Sequence, residues 1–229
     1  MDAWTTSPVQ AAERVSAFLW KVYGWMAIGL GLTAVVASVV AGSPDILRVF
    51  VLNRLVFFGL VIAELGLVFY LSARASSMAP GRAAGIFALY SALNGVTLSV
   101  VLLAYTGESV VTTLVVTAGM FAALALFGST TRRSLAGAGQ FFMMGLVGLI
   151  LASIVGMFWH NDTLQFLISV VGVIVFTGLA AWDAQRLRQM ALALPEGQVG
   201  GYAIVGALSL YLDFVNLFLM LLRFTGRRD

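Results

Sequence analysis

Three carboxylates lie where carboxylates are expensive. Glu64, Asp183 and Asp213 each fall within or at the end of a long apolar run, whereas most other charges lie between such runs. An ionised carboxylate facing hydrocarbon costs about 3 kcal/mol at mid-helix on insertion scales. Each of the three should therefore face other helices, water or a partner. Burial favours the neutral form of a carboxylic acid, and two neighbouring acids couple and take up protons over a wider pH range. Such a pair can exchange protons for a cation, because hard ions prefer oxygen ligands. The residues alone leave a plainer reading open. A lone intramembrane acid can be a protonated packing residue or a structural hydrogen-bond partner. Asp183, in FTGLAAWDAQRLR, can reach the interface and pair with Arg186 or Arg188.

Asp213 belongs to a pattern. Ser209, Asp213 and Asn216 follow i, i+4, i+7 spacing, and Arg223 extends the same helical face. The opposite side is Leu, Val, Phe and Met. A helix with one polar stripe in lipid turns that stripe toward other helices or a water-filled path.

Other chemistry is poorly provided for. The chain has one histidine and no cysteine, so a zinc or transition-metal site would have to be mainly carboxylate. There is no GxSxG, Walker A, HExxH or paired catalytic motif, and Ser134 and Ser209 have no recognisable base beside them. An enzyme and a resident cofactor are not expected. Met120, Met143, Met144 and Met157 read as packing residues, and His160 as a loop residue. The net charge of +3 is spread over loops and tails without a lysine-rich tract, which argues against nucleic acid as a partner.

The elements that must position these acids are apolar helices. Of 229 residues, 61% are hydrophobic and only 10% charged, against about 25% charged in a soluble domain. The apolar residues form runs of about twenty, each long enough to cross roughly 30 Å of hydrocarbon as a helix. A β-barrel would show short alternating segments instead. Seven spans are predicted, at about 22–41, 52–72, 83–104, 109–128, 139–158, 163–182 and 203–222. The fold class is all-α, one polytopic helical domain over 1–229, with connectors too short for a separate domain. The longest connector is expected from about 184 to 200 and contains Pro195 and Gly197. Trp4, Trp20, Trp25 and Trp159 are candidate interface anchors. The N-terminus lacks the pattern of a secretory signal peptide.

Charge predicts a cytoplasmic N-terminus. The inner side then receives Arg14, Lys21, Arg74, Arg82, Arg132, Arg133, Arg186 and Arg188, and the outer loops receive Arg48, Arg54, Glu108, His160 and Asp162. Arg223, Arg227 and Arg228 run against this rule if all seven spans cross; a re-entrant last segment would remove the conflict. The length of 203–222 favours a full seventh span.

Four segments carry a family resemblance: YSALNGVTLSVVLLAYTGES at 90–109, FGSTTRRSLAGAG at 127–139, GVIVFTGLAAWDAQRL at 172–187 and ALSLYLDFVNLFLMLLR at 207–223. With them the chain resembles, from about residue 15 onward, the bacterial branch of the Bax inhibitor-1 (transmembrane Bax inhibitor motif) family. The resemblance implies seven transmembrane helices with the last surrounded by the other six. It also implies a pH-sensitive calcium leak of the bacterial cytoplasmic membrane. The implied sensor and ion gate is the pair Asp183 and Asp213, which would also be the calcium-contacting oxygens. Arg74 is the best match to the family's latch arginine, and Glu64 to an acid of the second helix with a less settled role. Ser209, Asn216 and Arg186 are supporting polar groups. Two alternatives stand beside the channel. One is a membrane interaction protein that modulates a membrane protease or stress response; the other is a proton-coupled cation transporter.

Overall fold

The structure is a computed structural model that describes residues 8–74, 77–159, 161–195 and 198–227. Trp4, His160, Gly197 and Arg228 lie outside the described residues, as does the side chain of Met157. The elements run α1 (Pro8–Ala41), α2 (Pro44–Ile46), a π-helical turn (Leu47–Val51), α3 (Arg54–Ala73), α4 (Pro80–Ala104), α5 (Gly107–Thr130), α6 (Ala136–Phe158), α7 (Asp162–Ala193) and α8 (Val199–Thr225). Seven of these, α1 and α3 to α8, are long and apolar enough to cross a membrane. The chain is an all-α polytopic membrane protein.

Helix starts are marked by local chemistry. Pro80 opens α4, where its missing N–H is no loss. Asn53 precedes α3 and its Oδ1 accepts from the Leu55 and Val56 amides. Thr106 does the same for α5, accepting from the Ser109 amide.

Two helices outrun their apolar cores. α1 begins at Pro8 and not near 22, and α7 continues to Ala193 where a connector was expected from 184. At 1.5 Å per residue the 32 residues of α7 reach about 48 Å, well beyond the hydrocarbon thickness. The charges of DAQRLR end the apolar run without ending the helix, because Ala, Gln, Arg, Leu and Met are all good helix formers. α8 is continuous over 27 residues, which supports a full seventh span.

The chain divides into two compact units, Met1–Ser99 with Arg186–Leu208, and Val100–Gln185 with Ser209–Asp229. In the first, α1 and α4 approach closely. A Cβ on Gly95 would lie 2.7 Å from the Thr33 carbonyl oxygen, and one on Gly29 would meet the Phe87 ring. The Thr33 hydroxyl donates to the Ser91 carbonyl at 2.8 Å across the same contact. Small residues that let backbones touch are the usual device for helix association in lipid, where burying apolar surface between helices gains little. Arg14 donates to the Leu194 carbonyl at 3.0 Å, which holds α1 to the chain just beyond α7.

The second unit has its own core of Leu149, Ile168, Val175, Phe176, Leu179, Leu217, Met220 and Leu221. Gly128 of α5 sits directly against the Ala181 carbonyl and the Ala184 methyl of α7, and a Cβ there would collide with backbone. Gly178 accommodates the Phe142 ring in the same way. Large apolar side chains such as Phe141, Met144 and Leu151 of α6 point outward, where lipid can cover them.

Candidate functional site

Asp213 sits at mid-length of α8 and is buried, with 7% of its surface exposed. Its Oδ2 has no hydrogen-bond partner among the described residues. Most buried polar groups in native proteins are satisfied, and those that are not call for an explanation. Asp183 of α7 is half-buried and lies close enough for its charge to act on Asp213. Both acids belong to the second unit. α7 and α8 pack there through Gly172, whose Cα side is covered by the Met220 thioether. The two acids sit on facing helices because two long runs are joined by a short connection and pack on small residues.

The rest of the polar stripe divides. Asn216 is half-buried and donates to the Leu212 carbonyl of its own helix at 2.8 Å. Ser209 is half-buried and Arg223 exposed. Arg186, one turn beyond Asp183, is exposed. Arg74 is exposed at the C-cap of α3 and belongs to the first unit.

Glu64 is likewise in the first unit, at mid-length of α3. It is 9% exposed. Asn94 Nδ2 donates to its Oε2 at 3.1 Å and the Thr97 hydroxyl to its Oε1 at 2.9 Å, both from α4. Each oxygen of this acid therefore has a donor. Satisfied on both sides, Glu64 joins α3 to α4, and its setting differs from that of Asp213.

Sequence reasoning passed over four polar residues, Asn94, Thr97, Gln185 and Thr177. Asn94 and Thr97 were legible as an i, i+3 polar pair within an apolar run. Gln185, two residues after Asp183, is buried; its Oε1 accepts from the Leu135 amide at 2.8 Å and its Nε2 donates to the Arg133 carbonyl at 2.9 Å. It thereby binds the α5–α6 connector to α7 as a strand would. Thr177 shares a face of α7 with Ala181 and Ala184, the residues that meet Gly128. Its hydroxyl is buried without a partner among the described residues, although Thr117 and Ser169 satisfy theirs on the carbonyl four residues back. No spacing rule singled out Thr177. Among the described residues there is no group of three or more His, Cys, Asp or Glu that could hold a metal ion.

Comparison with known proteins places this chain in a family. The chain is 44% identical to the inner membrane protein YbhL of Escherichia coli strain K12, over 97% of this chain and 96% of that protein. It is 42% identical to a protein of Borreliella burgdorferi, over 92% of each, and 37% identical to a membrane protein of Streptococcus pyogenes serotype M1, over 96% of each. The family model described as inhibitor of apoptosis-promoting Bax1 matches residues 15–229. With seven membrane-length helices and a family match over nearly its whole length, the chain belongs to the Bax inhibitor-1 family of polytopic membrane proteins.

Proposed function

We propose that this protein is a pH-sensitive cation leak of the bacterial inner membrane, passing calcium, with Asp183 and Asp213 as its proton-controlled gate. The observation that carries the reading is the unpartnered, buried Oδ2 of Asp213 beside a second carboxylate. A packing residue would be expected to satisfy both oxygens, as Glu64 does. Two like-charged groups at one place in low dielectric cannot both be ionised cheaply, so protons or a cation must accompany them. A change in that occupancy changes their repulsion and biases the packing of α7 on α8, a local charge event with a conformational readout. Two carboxylates supply fewer oxygens than the six to eight of a calcium cage, which suits passage better than storage. α8 is the most buried of the seven helices: 67% of its apolar window is buried against at most 44% in the others. Arg74 as latch remains part of the proposal through the family resemblance. The inner membrane is the location named for YbhL.

The test is calcium flux into liposomes containing only the purified protein, from pH 5 to 8. The parent is expected to give pH-dependent flux, and the Asp183→Asn, Asp213→Asn double variant to lose that dependence. An unchanged pH curve in the double variant would rule out the shared-proton gate.

A second reading draws on the family description, which names inhibition of another protein. A regulator of a membrane complex would give no flux from pure, folded protein at any pH.

A further inference from the structure

The buried face of α5 changes character along its length. It consists of Thr113, Thr117, Phe121, Ala125 and Gly128, a single stripe at steps of three or four. The stripe starts polar. Thr113 lies in the wall of a cavity of about 240 Å³ that opens where α5 begins. One turn deeper, Thr117 is fully buried, and its hydroxyl donates to the Thr113 carbonyl at 2.7 Å. After another turn the stripe becomes apolar at Phe121.

Phe121 meets α8. Its ring stands edge-to-face on the Phe214 ring, with centroids 5.5 Å apart and planes at 68°, and both rings are buried. Neither belongs to the apolar core that Leu149, Val175, Phe176 and Leu217 form in the same unit. The two rings share a depth. Thr106 donates its amide to the Arg227 carbonyl at 3.1 Å, which ties the start of α5 to the end of α8. At 1.5 Å per residue from that bond, Phe121 and Phe214 each lie about 20 Å along their helices, and Thr113 about 10 Å.

Polar groups resume beside the rings. Asp213 immediately precedes Phe214, and its buried Oδ2 has no partner among the described residues. Ser209 lies one turn further on the same face of α8. All of these residues belong to the second unit. The order is thus hydroxyl, aromatic, carboxylate. A narrow apolar constriction stops ions because water withdraws from it and nothing there replaces a hydration shell.

We propose that the Phe121–Phe214 pair is an apolar barrier across the ion path, closing Asp213 off from the threonine stretch at the start of α5. This rests on the reading of the protein as a cation leak. The acids bias the packing of the helices, and the rings close the path between them and the α5 cavity.

Thiol modification tests the barrier without reference to the ion that passes. Ala125→Cys places one thiol a turn beyond Phe121 on the same stripe, at a buried position in a chain that has no other cysteine. In liposomes this thiol is expected to react slowly with a charged methanethiosulfonate, and about tenfold faster once Phe121→Ala is added. Phe87→Ala removes an equally buried ring from the first unit and controls for general loosening; it should leave the rate unchanged. Phe121→Leu and Phe214→Leu are milder changes, for use if the alanine variant does not fold, and should each raise the rate several-fold. Calcium flux is then measured with Phe121→Ala alone, at the pH where parent flux is lowest; it should exceed the parent about tenfold. Faster thiol reaction without calcium flux from either protein would support the barrier and overturn the calcium reading. An unchanged thiol rate, or an equal rise with Phe87→Ala, would overturn the barrier, whereas pH-dependent flux in the parent would still support the leak.

Discussion

Glu64 and Asp213 are chemically similar acids in similarly apolar helices, and their partners set them apart. Glu64 receives a donor on each oxygen from α4, whereas Asp213 is left with one oxygen unsatisfied and a second acid nearby. The first arrangement is what a structural carboxylate looks like. Glu64→Ala removes the hydrogen bonds that Asn94 and Thr97 donate to α3 and should lower stability by about 1 kcal/mol, the scale found for hydrogen bonds between membrane helices. Glu64→Gln keeps an acceptor for Asn94 and should recover most of that loss. Thermal unfolding of both variants checks the order. In the flux assay Glu64→Gln is expected to retain the parent pH dependence; a loss as large as in the Asp183→Asn, Asp213→Asn variant would move the proton-sensing group to α3.

At the scale of elements, the unbroken run of α7 past the hydrocarbon is what brings Gln185 into play. Had the helix stopped near 182, the side chain at 185 would belong to a loop. Within the helix it faces the α5–α6 connector and takes both an N–H and a C=O from it. Such a two-point contact holds a segment that carries Arg132 and Arg133 on an exposed stretch. Gln185→Leu keeps the volume and removes both bonds. The connector should then open more often, and limited trypsin digestion after Arg132 and Arg133 should proceed several-fold faster than in the parent. An unchanged cleavage rate would mean that packing, such as Gly128 on Ala181, already holds the connector without Gln185.

For the molecule as a whole, seven membrane-length helices require successive connectors to alternate between the two sides of the bilayer. The chain contains no cysteine, so a single introduced thiol reports its own position. Ser77→Cys and Thr131→Cys should react with an impermeant maleimide from one side, and Gly42→Cys and Gly107→Cys from the other. The distribution of arginines predicts that the first pair is cytoplasmic. Labelling of Gly107→Cys and Thr131→Cys from the same side would show that α5 does not cross.

Much of this protein was determined by its sequence alone. Runs of about twenty apolar residues have no stable home except a bilayer, and within one only a helix satisfies the backbone, so class and span number followed from composition and periodicity. The three acids were also visible, because a charge in such a run stands out against its neighbours. Tertiary structure decided what surrounds each acid. Hydrogen-bond partners come from other helices at no fixed sequence spacing, so the donors on Glu64, the orphan oxygen of Asp213 and the Gln185 clamp were beyond a one-dimensional reading. The true ends of α1 and α7 were hidden for a related reason. Hydropathy reports where a helix leaves the hydrocarbon, whereas the backbone ladder stops only where local propensity and packing end it.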